Sequence, residues 1–238
     1  MYNMLIMMVK ENILQVKRRV EQACARVNRG PASITIVAVS KGRTAAEIEE
    51  AIEAGIGDIG ENRIQEALLK IKAIRTRQDA IRIKWHLVGH LQTNKAKEAV
   101  KMFDLIHSVD SLHLAQEIDK QAGKINKVQG VLIEVNTSAE ADKFGLKTVE
   151  TVEVIEEISA LKNIRIKGLM TIAPIVDAPE KAKPYFRALR ELRDKVNATR
   201  KDAQHAIREL SMGMTDDFEA AIEEGSTMVR IGRAIFTG

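Results

Sequence analysis

The sequence predicts a single (β/α)8 barrel, an α/β fold in which helices surround eight parallel strands. Helix-period segments and short strand-like segments alternate along nearly the whole chain, and eight apolar or β-branched runs can be counted. Alternating units imply a parallel sheet, and eight of them imply closure into a barrel. An open doubly wound sheet is the alternative, but no glycine-rich turn follows the first run to support a dinucleotide-binding fold.

The predicted strands are short and rich in Val, Ile and Leu, as expected for strands that are covered on both faces. They cover Ile34–Val39, Gly57–Ile59, Ile83–Val88, Leu105–Ile106, Val128–Val135, Ile164–Met170, Glu209–Leu210 and Met228–Ile231. The predicted helices have apolar residues at intervals of three and four. They cover residues 9–28, 44–54, 62–75, 92–101, 111–123, 147–161, 179–200 and 216–224.

Three of these helices begin with side chains that can cap a helix N-terminus. Thr44 precedes Glu47 in a capping-box spacing, Ser111 opens the fifth helix, and Thr215 precedes a pair of aspartates. Such residues accept hydrogen bonds from the free backbone N–H groups of the first turn. The capping pattern therefore supports the helix starts.

Length and composition favour one domain. The chain has 238 residues, of which 45% are hydrophobic, enough for a full core. Its four prolines are dispersed and no low-complexity stretch marks a linker. We expect one domain over residues 1–238, with residues 1–8 frayed or outside the core.

Charge and cysteine usage exclude several classes of function. The net charge is only +4 and aromatic residues make up 3%, whereas nucleic-acid binding favours a concentrated basic stripe with stacking aromatics. No apolar stretch approaches the roughly 20 residues that span a bilayer. The single cysteine, Cys24, cannot form an internal disulfide. We therefore expect a cytoplasmic protein that binds neither nucleic acid nor membrane.

Barrel enzymes place their sites at the carboxyl ends of the strands, which meet at one mouth. Polar or chemically useful residues follow most of the predicted strands, and we expect them to converge there. They are Lys41, Asn62, His86, Ser108, Asn136, Met170 with Thr171, Ser211 and Arg230.

Lys41 follows the first predicted strand directly after Ser40. Burial of an unpaired ammonium costs several kcal/mol, so a lysine here suggests a task for its amine. A desolvated amine loses its proton more readily and becomes a nucleophile toward carbonyls. The alternative is a strand-end lysine that extends to water.

The last two predicted strands end in glycine-containing loops. Ser211 and Gly213 lead into a helix N-terminus, and Arg230, Gly232 and Arg233 follow the final strand. The corresponding loops of such barrels commonly bind phosphate. In a closed barrel they lie beside the first strand and its lysine, so the pattern predicts an aldehyde that carries a phosphate. Pyridoxal 5'-phosphate (PLP) is the candidate; two purely structural glycine turns are the alternative.

Seven sequence blocks in order strengthen this hypothesis. They are AVSKGRTAAEIEEAIEAG, IGENRIQEA, WHLVGHLQTNK, IHSVDS, VLIEVNTSAEADKFGL, IKGLMTIAP and LSMGMTDDFEAAIEEGSTMVRIGRAIF. With them the chain resembles, from Val37 to Phe236, the YggS/PROSC family of PLP homeostasis proteins. That family shares the barrel of the fold type III alanine racemases.

The resemblance implies a role for each residue of the predicted site. Lys41 would bind the cofactor covalently as a Schiff base, and Arg230 would lie at the pyridine nitrogen. The implied phosphate contacts are Ser211, Gly213, Gly232 and Arg233, the last through its backbone. The implied ring-lining residues are Asn62, His86 and Met170. No metal ligand and no catalytic residue is implied.

Arg230 also predicts what the protein does not do. A permanently charged guanidinium beside the ring nitrogen disfavours its protonation, so the ring would be a poor electron sink. Racemases with this barrel take a second base, a tyrosine, from an additional C-terminal β-domain, which we do not expect here. Tyr2 and Tyr185 are not at strand ends.

We therefore expect a non-catalytic PLP carrier or buffer, a monomer or weak dimer, that serves PLP-dependent apoenzymes. One alternative is a racemase-like or other Schiff-base enzyme with weak or specialised activity. The other is a regulatory module that binds another protein or nucleic acid.

The remaining polar motifs have simpler interpretations. His86 and His90 are four residues apart, but they lie at a strand end with no third ligand nearby, so no metal site is predicted. His107, His113 and His205 are interpreted as surface or supporting groups. The segment Gln92–Lys95 is interpreted as a solvated capping segment, with binding of an anion or a partner as the alternative. The segment Ser138–Phe144 is interpreted as a mobile loop able to gate the mouth.

Overall fold

The computed structural model describes residues 2–75, 83–140, 142–199 and 206–237. Its strands form a closed parallel barrel. They are β1 (Thr35–Val39), β2 (Asp58–Glu61), β3 (Lys84–Leu87), β4 (Leu105–Val109), β5 (Gln129–Asn136), β6 (Leu146–Lys147), β7 (Ile164–Met170), β8 (Glu209–Ser211) and β9 (Met228–Ile231).

The pairing of the strands confirms the predicted barrel. Neighbours run in the order β1, β2, β3, β4, β5, β7, β8 and β9, and β9 returns to β1. The first and last strands pair in register, with Val37 opposite Arg230 and Ala38 opposite Ile231. The two-residue β6 was not predicted; it pairs only with the end of β5 and stands outside the ring of eight.

The described helices surround this ring. They are α1 (Tyr2–Arg26), α2 (Ala45–Glu53), α3 (Ile64–Arg75), α4 (Ala96–Met102), α5 (Leu112–Gly123), α6 (Thr151–Ser159), α7 (Lys183–Thr199), α8 (Phe218–Glu223) and α9 (Arg233–Phe236). Three starts were predicted four residues too early. Residues 93–95 and 179–182 form 3-10 turns, and Leu146–Lys147 is strand, so α4, α7 and α6 begin later.

The capping predictions are confirmed at two helices and wrong at the third. The Thr44 hydroxyl accepts from the Glu47 amide at 3.3 Å while the Glu47 carboxylate accepts from the Thr44 amide at 2.7 Å. Ser111 caps α5 through the amide of Leu114. At α8 the N-cap is Asp217 rather than Thr215, and its side chain makes no capping hydrogen bond to the helix; its carboxylate instead accepts from the Met214 amide in the preceding turn.

Helix α1 covers the seam between the first and last strands. It packs against α2, α8 and α9. Arg19 makes two hydrogen bonds to Glu219 at 2.7 and 3.0 Å, and Asn12 donates to the carbonyl oxygen of Ile235. The helix begins at Tyr2; Met8 is exposed and Val9 is buried. That residues 1–8 lie outside the core stays a prediction.

Side chains alternate between the two faces of the barrel strands, as the pleat requires. The outward set packs under the helices and forms the main core. A separate small cluster is formed by Leu105, Leu132, Met170 and Met228, which lie on strands β4, β5, β7 and β9. These four fill the interior together with buried polar groups, among them His86, His107 and Arg230. Among the described residues, no helix is both long and apolar enough to cross a bilayer.

Candidate functional site

Lys41 stands at the carboxyl end of β1, in a turn that leads to α2. Ser40 before it is buried, whereas Lys41 itself is exposed. Gly42 after it has φ +70°, a conformation that favours glycine and turns the chain outward. The desolvated amine expected from the sequence is therefore not found; as in the alternative interpretation, the side chain extends toward water at the mouth.

A buried ion pair fixes the residue that precedes Lys41. The Lys70 amine lies 2.6 Å from the Glu61 carboxylate and 2.6 Å from the Ser40 carbonyl oxygen. The Ser40 hydroxyl donates to the same Glu61 carboxylate. Glu61 is fully buried between β2 and α3. Sequence reasoning missed this pair, although an acid at the end of an apolar strand was a possible signal.

Arg230 lies in the barrel interior, on the strand next to β1, and its guanidinium is held by main-chain and side-chain oxygens. Nη1 donates to the carbonyl oxygen and to the hydroxyl of Ser211, both at 2.7 Å, and Nη2 donates to the Thr171 carbonyl oxygen at 2.9 Å. Burial lowers the pKa of Arg230 to about 10, against the opposing effect of Glu134 and Asp217. The guanidinium therefore keeps its charge at neutral pH.

A chain of hydrogen bonds continues from Ser211 through the interior. The Ser211 hydroxyl lies 2.9 Å from His107 Nδ1, His107 Nε2 lies 2.9 Å from His86 Nδ1, and His86 Nε2 lies 2.9 Å from Asp58 Oδ1. Burial, followed by the nearby His86 and Arg230, holds the pKa of His107 well below its usual value. Both ring nitrogens of His86 are thus engaged inside the barrel, below the mouth.

These positions revise the interpretation of the histidines. His107 is fully buried, so its interpretation as a surface group is wrong, while the interpretation as a supporting group agrees with its contacts. His113 is exposed, and His205 lies outside the described residues. Sequence reasoning ended the fourth strand at Ile106, whereas β4 continues to Val109 and its alternation turns His107 inward.

The loop after β8 is built around Gly213. Its φ is +92°, and a Cβ there would lie 2.5 Å from the Ala221 Cβ and 2.9 Å from the Phe218 Cα. Its carbonyl oxygen accepts from the Arg230 amide at 3.0 Å. Only glycine allows this loop to lie against α8 while it remains joined to β9.

The loop after β9 meets the loop after β8 and the end of β1. The Arg233 guanidinium is exposed and contacts the Asp216 carboxylate. A Cβ on Gly232 would lie 3.2 Å from the Val39 carbonyl oxygen, two residues before Lys41. The structure thus brings together the two glycine loops and the lysine turn, as closure of the barrel predicted.

Three buried side-chain oxygen atoms near the mouth lack hydrogen-bond partners among the described residues. They are Glu61 Oε2, at the end of β2, Asn62 Oδ1, directly after it, and Glu134 Oε2, on β5. Burial, and then the nearby Asp110, raise the pKa of Glu134 to about 7, while Arg230 opposes the rise. Glu134 also lines a cavity of about 150 Å³ with Phe144 and Ile172. Met170, predicted to line the ring, is wholly buried at the end of β7.

The loop between β5 and β6 folds over the mouth. The Phe144 ring stacks on His90 with centroids 3.7 Å apart, and His90 Nδ1 lies 3.3 Å from the Asp110 carboxylate. His86 and His90 therefore do not share a helical face, since one lies in the interior and the other under this loop. Gating by the loop stays a prediction, and residue 141 within it lies outside the described residues.

The barrel and the lysine after its first strand define a class of protein. Residues 10–238 match the family model described as alanine racemase, N-terminal domain. Within that class the chain belongs to the family of pyridoxal phosphate homeostasis proteins. It is 43% identical over 226 residues to the protein of that name from Aquifex aeolicus, covering 95% of this chain and 96% of the relative.

Two solved structures extend the comparison. PipY of Synechococcus elongatus PCC7942, a structure with PLP bound, is similar with a TM-score of 0.78 and 34% identity over 92% of this chain and 99% of that chain. The alanine racemase of Clostridium difficile 630 has a TM-score of 0.72 at 18% identity, and the match covers 96% of this chain but 56% of the racemase. The second likeness concerns the fold alone.

Proposed function

We propose that this protein binds PLP at the mouth of the barrel and acts as its carrier or buffer. The observation that carries the proposal is the meeting of three elements at one seam: the turn of Lys41, the loop of Gly213 and the loop of Gly232. The proposal is supported by the names of the relatives and by PLP in the PipY structure.

The residues present fit this cofactor. The exposed amine of Lys41 is free of the apolar interior and can reach an aldehyde at the mouth. Arg230 offers a charged donor toward a ring nitrogen, and the loops of Gly213 and Gly232 allow a phosphate to approach the backbone. No residue in the described part of the chain donates to the buried Asn62 oxygen, and a ligand hydroxyl or amide could supply that donor.

Ser211 has a different environment from the other proposed phosphate contacts. Its hydroxyl lies between Arg230 and His107 in the interior. We therefore propose that Ser211 acts first on Arg230, and that Gly213, Gly232 and the backbone of Arg233 lie closest to the phosphate. Met170 and His86 would lie beneath the ring rather than beside it.

The same geometry supports carriage rather than catalysis. PLP supplies an electron sink to enzymes that protonate its ring nitrogen, and the charged Arg230 disfavours a second positive charge there. Tyr185 lies in α7, in the outer layer of helices, and cannot serve as a base at the mouth. We propose that the protein acts in the cytoplasm as a monomer or weak dimer and hands PLP to apoenzymes.

The test is cofactor loading of the purified protein. Incubation with PLP should give the visible absorption of a lysine-linked cofactor, and borohydride reduction followed by peptide mass analysis should place the label on Lys41. Lys41→Arg keeps the charge but cannot condense with an aldehyde, so it should lose the visible band while retaining weak binding. Exposed Lys72 supplies the matched control, Lys72→Arg.

Two outcomes would overturn the proposal. Absence of any band after PLP addition would contradict binding at Lys41. Racemisation or decarboxylation of amino acids at about 1 per second or faster would contradict the carrier role, since that rate is typical of enzymes.

A further inference from the structure

The hydrogen-bond chain from Arg230 to Asp58 has one direction in which every member is satisfied. Arginine can only donate, so the Ser211 hydroxyl accepts from Arg230 and is free to donate its own hydrogen to His107 Nδ1. His107 then carries its proton on Nε2 and donates to His86 Nδ1. His86 in turn carries its proton on Nε2 and donates to the Asp58 carboxylate.

The reverse direction fails at both ends. It would place a lone pair of His86 against the Asp58 carboxylate, or else require a charged imidazolium in the interior. It would also leave the hydrogen of the Ser211 hydroxyl without His107 as its acceptor. A buried donor without an acceptor costs about 1–3 kcal/mol, so the direction from Arg230 to Asp58 is favoured.

The two ends of the chain lie at opposite ends of the barrel. Asp58 is the first residue of β2, whereas Ser211 is the last residue of β8. In a parallel barrel all amino ends lie on one side, so Asp58 is on the side opposite the mouth. Its side chain is 20% exposed, and His86 and His107 are buried between. The carboxylate is therefore in contact with water while it fixes the first tautomer of the chain.

We propose that His86 and His107 are positioning residues for Arg230, with Asp58 as the group that sets their tautomers. The chain makes the Ser211 oxygen an acceptor toward Nη1, and this orients the guanidinium toward the mouth. This inference rests on the proposed PLP site, because the orientation of Arg230 matters through the ring nitrogen that it faces.

The charges around the chain are consistent with a neutral His107. His107 has Arg230 of β9 on one side and His86 of β3 on the other. Glu134 on β5 and Asp217 before α8 face Arg230, not the histidines. Asp58 on β2 faces only the far end, at His86.

The first test needs no cofactor. Nitrogen-15 NMR of histidine-labelled protein at neutral pH should show His86 and His107 both neutral and both protonated on Nε2. Asp58→Asn keeps a side-chain carbonyl as acceptor and should preserve this pattern, whereas Asp58→Ala should release the tautomer of His86. A proton on Nδ1 of His107, or an imidazolium at either residue, would overturn the inference whether or not PLP binds.

The second test measures the effect on the cofactor. His107→Leu removes both hydrogen bonds and should weaken PLP binding by about tenfold to a hundredfold, the range expected for a hydrogen bond to a charged group. His107→Gln keeps one acceptor and one donor and should restore binding to within about threefold. The exposed His113→Leu is the matched control.

An analogue separates positioning from a general effect on the fold. In 1-deazapyridoxal 5'-phosphate a C–H replaces the ring nitrogen, so its affinity should hardly differ between the parent and His107→Leu. An equal loss for PLP and for the analogue would overturn the positioning role. Failure of the parent itself to bind PLP would contradict the proposed function, and the NMR test would then decide the inference alone.

Discussion

The Arg230 guanidinium and the Ser211 hydroxyl lie 2.7 Å apart in the barrel interior, and Ser211 also accepts from Nη1 through its carbonyl oxygen. One residue thus provides two acceptors for one nitrogen of the buried cation. Because the two residues lie on adjacent strands, β8 and β9, the pairing of the barrel strands fixes their relative position. Ser211 joins the predicted cofactor site to the histidine chain beneath it.

Removal of the Ser211 hydroxyl should affect stability and affinity together. Ser211→Ala takes one acceptor from Arg230 and the donor from His107, so we expect a loss of about 1–3 kcal/mol in the free energy of unfolding. PLP affinity should fall by a similar free energy. Urea denaturation and PLP titration measure the two. The control is Thr151→Val, which removes a buried hydroxyl that donates to the Lys147 carbonyl oxygen and should leave PLP affinity unchanged. Unchanged PLP affinity in Ser211→Ala would contradict the role of Ser211 in the site.

Gly213 should tolerate no side chain. In Gly213→Ala the new methyl group would lie 2.5 Å from the Ala221 Cβ in a backbone with φ +92°, so loop and helix must move apart. We expect the free energy of unfolding to fall by more than about 2 kcal/mol and PLP binding to be lost. Gly30→Ala, where nothing lies within 4 Å of the added atom, is the control and should be almost neutral. Equal denaturation midpoints for the two variants would contradict the packing described.

Removal of one partner of the Lys70–Glu61 pair should destabilise the protein strongly, whereas replacement of both partners by apolar residues should destabilise it much less. Lys70→Met leaves a fully buried carboxylate without its cation, and we expect a loss of about 3–5 kcal/mol. The double variant Glu61→Leu/Lys70→Met removes both charges and should recover most of that loss. Chemical denaturation of single and double variants tests this, with exposed Lys72→Met as control. A double variant no more stable than Lys70→Met would count against the pair.

Glu134 should make stability depend on pH in a defined direction. Its pKa is raised to about 7 from 4.5, so between these values the native state keeps a proton that the unfolded state has released. The free energy of unfolding therefore falls as the pH rises through this window and the penalty is complete above it. The free energy of unfolding of Glu134→Gln, relative to that of the parent, should therefore be about 3 kcal/mol higher at pH 8 than at pH 4. Denaturation at both pH values measures this difference. The exposed Glu156→Gln is the control and should show no such gain. Absence of the gain in Glu134→Gln would indicate that the carboxylate is paired and would contradict the prediction.

Much of the fold could be predicted from the sequence because its signals are local. The eight barrel strands lie where short apolar runs occur, and Thr44 with Glu47 closes a capping box within four residues. The short β6 escaped prediction because its two residues pair only through the distant end of β5. The position of the glycine loops beside Lys41 followed from closure alone.

The contacts inside the site could not be predicted in the same way. His107 and Ser211 are 104 residues apart in the sequence, and no local pattern predicts their contact. The exposure of Lys41 depends on the turn at Gly42, and the burial of Lys70 depends on α3 lying over β2. Each is set by packing between elements that are distant in the sequence.

The sequence by itself determined the barrel, the family and the residues around one mouth, because hydrophobic periodicity and short motifs are read within a few residues. Only the tertiary structure decided that Lys41 faces water, that Glu61 is paired with Lys70, and that two histidines link Arg230 to Asp58 across the interior. The reason is physical: a buried polar group must find its partner in space, and barrel closure brings opposite strands together without regard to their separation along the chain.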